Sequence, residues 1–141
     1  MNSDYTWADA WFLLAVSYVS PQGEWADLQA VIGAADFINH AILTHSEIQA
    51  AACKLTRDGW LQYEQQQFAA TPTMIERFDQ SPKTSPMERM EFARRCLNAG
   101  EYESGYDPNA PTEFEFHDIT SEMVSAAVQD YKNGVNARGR K

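Results

Sequence analysis

The sequence predicts a mainly α-helical fold with a small β-hairpin, which is an α+β class, and two observations carry this prediction. Apolar residues recur at helical spacing in three successive segments within residues 4–58. Residues 61–70 then alternate between apolar and polar, and a Thr-Pro step at residues 71–72 opens another helix. Three helices, a hairpin and a helix is the order of a winged helix-turn-helix domain, which we assign to residues 1–80.

The first two helices are predicted for residues 4–19 and 25–40. The apolar residues of helix one follow the spacing of a single buried face: Trp7, Trp11, Leu14, Ala15 and Tyr18. The segment from Ser20 to Gly23 ends this helix, and Gly33 is a weak point inside helix two. The tryptophans are predicted to be core residues rather than a platform for stacking bases: Trp7, Trp11, Trp25 and Trp60.

Helix three is the best-marked element. Thr44 and Glu47 have the spacing of a capping box, in which the hydroxyl and the carboxylate satisfy two backbone amides. Gly59 stands where a helix ends in the left-handed conformation. The hairpin follows as residues 61–64 and 67–70, although Gln65-Gln66 is a poor pair for a tight turn.

Residues 81–141 are predicted to be a C-terminal extension that packs on the first domain. Ser85 and Pro86 open a fifth helix that ends near Asn98. An acidic loop at residues 100–111 and a short strand at 112–117 come next. Thr120 caps a last helix, and the basic tail after Gly134 is expected to be frayed.

Residues 44–72 carry a resemblance to a known group of proteins. The run from Leu55 through Gly59 to Leu61 and the run from Phe68 to Pro72 resemble the recognition helix, wing and following turn of MarR- and PadR-type winged-helix regulators. The chain also resembles small uncharacterised bacterial winged-helix proteins that end in a helix rich in alanine and tyrosine. The resemblance implies a winged-helix fold more strongly than any activity.

The charge of the chain opposes strong nucleic-acid binding. The formal net charge is −9, and residues 1–80 contain ten acidic against three basic side chains. Neutralising phosphates supplies most of the energy with which proteins bind nucleic acids. The segment with the most DNA-binding character is therefore also the most acidic.

A small set of residues could contact a macromolecule. Helix three and the wing of a DNA-binding winged helix offer polar side chains to bases and cations to phosphates. Here such residues are few, and Lys54 and Arg57 come late on the helix, where Asp58 is a local partner for Arg57. The candidates on helix three, the wing and helix five are His45, Ser46, Gln49, Lys54, Arg57, Gln66, Arg94 and Arg95.

No motif proposes a reaction, a metal or a cofactor. Asp36, His40 and His45 are too few and too uncertainly placed for zinc, and residues 107–118 lack the glycine that a calcium loop requires. Phosphate-binding, dinucleotide and nucleophile-elbow motifs do not occur. The two cysteines are Cys53 and Cys96, which we expect to be reduced. With no export signal and no apolar run of about 20 residues, the chain is expected to be soluble and cytoplasmic.

These observations favour a non-catalytic protein that acts by contacting another macromolecule, most simply a protein. It would be an adaptor, a regulator or an immunity-type inhibitor that shields a basic partner. The alternative is a transcriptional regulator that binds DNA as a homodimer. Helix one, with Trp7, Trp11 and Phe12, is the predicted dimer seam in that case.

Overall fold

The computed structural model describes residues 5–81, 83, 85–99 and 119–139, and the side chains of the last segment up to residue 134. Within these residues the chain is mainly helical and has one small antiparallel sheet. The helices are α1 (Trp7–Val19), α2 (Leu28–Asn39), α3 (His45–Arg57), α4 (Pro72–Phe78), α5 (Pro86–Leu97) and α6 (Ser121–Gly139). The strands are β1 (Ala26–Asp27), β2 (Leu61–Glu64) and β3 (Gln67–Ala70).

Helix α1 lies at the centre of the molecule. Thr6 and Asp9 form a capping box at its start, and the Thr6 amide donates to Asp9 Oδ2 at 2.7 Å. All residues from Ala8 to Val16 are buried, so the prediction of a single buried face is wrong. A helix that is apolar on all sides packs against neighbours on all sides. Helices α2, α3 and α5 surround it.

The start of α2 also differs from the prediction. Residues Ala26 and Asp27 form β1, which pairs with Phe68 and Gln67 of β3, and the helix begins only at Leu28. The Asp27 carboxylate accepts from the Ala30 amide at 2.9 Å and so caps α2. Trp25, predicted to lie in the core, is 43% exposed.

The predicted hairpin is confirmed, and so are the predicted capping residues at the two ends of helix three. Strands β2 and β3 pair from Leu61 with Ala70 to Glu64 with Gln67, and the strand order is β1-β3-β2. Gln65 and Gln66 both have positive φ, 50° and 66°, which is the geometry of a tight hairpin turn without glycine. The Thr44 capping box of α3 is present, and Gly59 has a φ of 83°.

The residues after 80 share the core of the residues before it. Met90, Ala93 and Leu97 of α5, with Ile119 and Val124, belong to the same buried apolar cluster as α1 and α2. Helix α6 packs on α2 and extends to Gly139, and the expected fraying of the tail after Gly134 stays a prediction. The predicted acidic loop at residues 100–111 and strand at 112–117 lie outside the described residues.

Candidate interaction surface

The N-terminal half of α3 is occupied by the chain itself. His45 Nε2 lies 3.0 Å from the carbonyl oxygen of Ile119, and Gln49 Nε2 donates to the same oxygen at 3.3 Å. Both residues are predicted contact residues, and Ser46 beside them is half-buried. Ile119 is itself 1% exposed. The segment that leads into α6 therefore holds the polar groups with which this helix would contact an external partner.

Lys54 does not reach the surface, so its prediction as a contact residue is wrong. Its side chain is 2% exposed and forms an ion pair with Asp9, which is 1% exposed. The ammonium also lies 5.9 Å from the centre of the Tyr5 ring. A buried ammonium needs such a partner, because leaving either charge alone in the interior costs several kcal/mol. Lys54 therefore links α3 to α1.

A second buried carboxyl group lies close to this pair. Glu47 is 7% exposed and its carboxylate accepts from the Thr44 amide at 2.9 Å. Burial raises the pKa of Glu47, and the nearby charge of Asp9 adds to the rise. Among the described residues, Asp9 Oδ1 has no hydrogen-bond partner, and burial raises the pKa of Asp9 as well.

Arg57 is exposed and binds its neighbour. Its guanidinium donates two hydrogen bonds of 2.8 Å to the Asp58 carboxylate, as the sequence predicts. The hydrogen bond from Arg57 lowers the pKa of Asp58 to about 2. The Tyr5 hydroxyl donates to the same carboxylate at 2.6 Å. The predicted cation at the end of α3 is therefore neutralised locally.

The two arginines of α5 share an acidic neighbour. Arg94 forms an ion pair with Glu91 and donates to the carbonyl oxygen of Ala99 at 3.0 Å, which caps the end of α5. Arg95 is 73% exposed and lies 3.4 Å from the Glu91 carboxylate. Because Glu91 offsets one of their two charges, this pair is a weak site for phosphate.

A groove runs between the hairpin turn and α6, and it is acidic. Its volume is about 330 Å³, and Gln66 and Asp130 are among its lining residues. The described residues that line it are Asp27, Leu28, Gln29, Gln65, Gln66, Gln67, Met123, Ala126, Ala127 and Asp130. Among the described residues of the lining there are two carboxylates, four glutamines and no cation, a composition that suits a basic partner and repels phosphate. Sequence reasoning missed Asp130, because no local pattern in the sequence places it beside the hairpin turn.

Helix α1 cannot supply the predicted dimer seam. Phe12 is fully buried and packs edge-on against Phe68 at 5.2 Å between ring centres. Trp11 is 3% exposed, and its indole donates to the carbonyl oxygen of Ala35 at 2.9 Å. Trp7 alone of the three is half-buried. Phe12 and Trp11 belong to the core of the chain and are not available to a second copy.

No group of three histidine, cysteine, aspartate or glutamate residues is placed to hold a metal ion within the part of the chain that the structure describes. No described helix combines the length and apolar character that crossing a membrane requires.

The comparisons with known proteins add no relative. The sequence matches no protein-family model, and neither the curated proteins nor the solved structures contain a significant match.

Proposed function

We propose that this chain is a non-catalytic winged-helix protein that acts by binding another protein with a basic surface, as an adaptor, a regulator or an immunity-type inhibitor. The order of elements supports the winged helix. Helix α1, strand β1, helices α2 and α3 and the hairpin follow one another, and β1 pairs with the second strand of the hairpin. In this fold α3 is the recognition helix and the hairpin is the wing.

One observation carries the preference for protein over DNA. Gln49 donates a hydrogen bond to the Ile119 carbonyl oxygen, and the His45 ring nitrogen lies within hydrogen-bond distance of the same atom. The half of α3 that would contact bases is therefore already bound by another segment of the chain. Displacing residue 119 would also expose a side chain that is buried in the common core. Binding DNA in the usual way would therefore require part of the core to open.

The charges of these residues also favour a protein partner over DNA. Lys54 is buried with Asp9, and Arg57 is paired with Asp58. The hairpin turn carries glutamines, and the groove beside it carries Asp27 and Asp130. A basic protein surface gains favourable electrostatic energy and a higher association rate on approaching this groove, whereas a phosphate backbone is repelled.

Charge reversal at the groove tests the proposal. The tagged full-length chain is used to capture proteins from cells of its source, and the captured protein is purified and titrated against it directly. We expect Asp130→Lys to weaken this binding by about tenfold or more, as for loss of a close charge pair. Glu76→Lys makes the same charge change at an exposed position of α4 outside the groove, and should leave the affinity unchanged.

A parallel titration addresses the alternative. The full-length chain is added to fluorescent duplex DNA at several salt concentrations and followed by anisotropy. We expect no association that steepens as salt is lowered. Tight, salt-dependent binding to DNA, or equal effects of the two charge reversals on protein binding, would refute the proposal and favour the dimeric DNA-binding regulator.

A further inference from the structure

Helix α6 supplies one wall of the acidic groove, and the hairpin turn and the start of α2 supply the other. Met123 and Asp130 line the groove from α6, and Gln65 and Gln66 line it from the turn. The pairing of β3 with both β1 and β2 attaches the turn firmly to the sheet. We propose that the groove forms only when α6 docks on α2, and that Tyr131 is the residue that positions α6 for partner binding. This inference rests on the function proposed above.

Polar contacts attach α6 to α3 and to α2. Just before the helix, the Ile119 carbonyl oxygen lies within hydrogen-bond distance of His45 Nε2 and Gln49 Nε2. Further along the helix, the Tyr131 hydroxyl donates to Asp36 Oδ2 at 2.6 Å. The residues with which α6 lines the groove lie in sequence between these contacts. Loss of the contact at Tyr131 would therefore allow this wall of the groove to move.

Tyr131 contacts α2 with its ring as well as with its hydroxyl group. The ring lies against Gly33, where an added Cβ would be 3.0 Å from the ring atom Cε1. Each residue of an α-helix is rotated by about 100° relative to the residue before it. Because Tyr131 faces α2, the direction in which the neighbouring Asp130 projects is fixed as well. The contact with α2 thus places the Asp130 carboxylate at the groove.

Tyr131 lies where the packing of α6 ends. Val124 in the first part of the helix is 5% exposed, and Ala127 and Val128 are half-buried. Among the described residues of α6, Tyr131 is the last that packs against the core. The end of a packed segment opens more easily than its middle. The position of Asp130 should therefore depend on Tyr131 more than on Val124.

Replacement of Tyr131 in the full-length chain tests the inference, with the partner protein captured and titrated as above. If only the docked form binds, the apparent dissociation constant rises in inverse proportion to the docked fraction. We expect Tyr131→Ala to weaken partner binding by about tenfold. Tyr131→Phe removes the hydroxyl group alone and should weaken it by a smaller factor.

Tyr5 provides matched control variants. Its hydroxyl group also donates to an aspartate at 2.6 Å, in this case Asp58, and Tyr5 does not line the groove. Tyr5→Ala and Tyr5→Phe therefore remove a similar ring and a similar hydrogen bond from another part of the molecule. Both variants should leave the affinity for the partner unchanged.

Hydrogen exchange followed by mass spectrometry gives a measurement that needs no partner. We expect Tyr131→Ala to speed the exchange of α6 amides by about tenfold, since their exchange reports local opening. Amides of α1 should exchange as in wild type, which would show that the rest of the chain stays folded. Tyr5→Ala should leave the exchange of α6 unchanged.

Combination with Asp130→Lys tests whether Tyr131 acts by positioning Asp130. In that case Tyr131→Ala should weaken binding by a smaller factor in the Asp130→Lys chain than in wild type. Additive effects, unchanged exchange in α6, or equal losses of affinity in the Tyr5 and Tyr131 variants would overturn the inference.

The outcomes also separate this inference from the proposed function. If Asp130→Lys weakens partner binding and Tyr131→Ala does not, the inference fails and the proposed function stands. If Asp130→Lys and Glu76→Lys have equal effects, the proposed function fails, and the inference fails with it.

Discussion

Lys54 illustrates why the face of a single residue is hard to assign from sequence. It lies on α3 beside the buried residues Ala51 and Leu55, and a lysine at the border of an apolar stripe is expected in solvent. Its actual environment is decided by Asp9, which is 45 positions away and is itself buried. The capping boxes are local patterns and can be read, whereas an ion pair between two helices cannot.

The raised pKa of Glu47 gives a pH dependence that can be measured at this one residue. Since burial raises the pKa of Glu47 in the folded state above its ordinary value of 4.5, the folded chain binds this proton more tightly than the unfolded chain does. The stabilisation from Glu47 is thus complete below about pH 4.5 and is lost as the pH rises through the folded-state pKa. We expect wild type to lose stability relative to Glu47→Gln over this window.

Glutamine at this position can keep the capping box, so the two proteins differ mainly in the titrating group. Urea unfolding at a series of pH values gives the free energy of unfolding of each. Asp9 and Lys54 are the charged groups near Glu47 and are present in both proteins, as are all exposed acids. A constant difference between the two curves from pH 4 to 8 would contradict the assignment.

At the scale of elements, Gly33 of α2 is recognisable in the sequence, but the reason for a glycine at this position is not. A glycine inside α2 is recognisable as a weak point, but its reason is Tyr131 of α6. A Cβ added at Gly33 would lie 3.0 Å from the Tyr131 ring. The Tyr131 hydroxyl donates to Asp36 at 2.6 Å, which fixes the ring against α2. The glycine is therefore a docking position for α6.

Gly33→Ala should consequently destabilise the protein. Overpacking costs about 1–3 kcal/mol, which outweighs the gain of about 0.5–1 kcal/mol from alanine in a helix. In a Tyr131→Ala background the clash is gone, and the same substitution should stabilise. Gly134→Ala in α6 is a matched control, because no atom of the residues that the structure describes lies within 4 Å of its added Cβ. Stabilisation by Gly33→Ala in the wild-type background, measured by urea unfolding, would show that α6 does not pack there.

At the scale of the whole molecule, local sequence patterns predict the order of the helices and the hairpin. They do not predict which segments of the chain pack against α3. Capping residues, Thr71-Pro72 and the alternation in the hairpin are all contained within a few residues. The contact of His45 with Ile119 joins positions 74 apart. Strand β1 likewise exists only because β3 pairs with it. The candidate site therefore could not be predicted from sequence, although most of the elements that build it could.

The excess of acidic side chains should reduce the stability of the folded chain. The formal net charge is −9 on 141 residues, and the repulsion among these charges destabilises the compact folded state more than the unfolded chain. Salt screens this repulsion, with a Debye length of about 10 Å at 0.1 M. We expect the thermal midpoint at pH 7 to rise with sodium chloride up to about 0.3 M, and this rise to vanish near the pI of 4.6. Calorimetry at the two pH values distinguishes charge screening from a general effect of salt on apolar burial. The general effect would raise the thermal midpoint by the same amount per unit of salt at both pH values. A rise at pH 7 alone would show that repulsion among the acidic side chains lowers the stability of the folded chain.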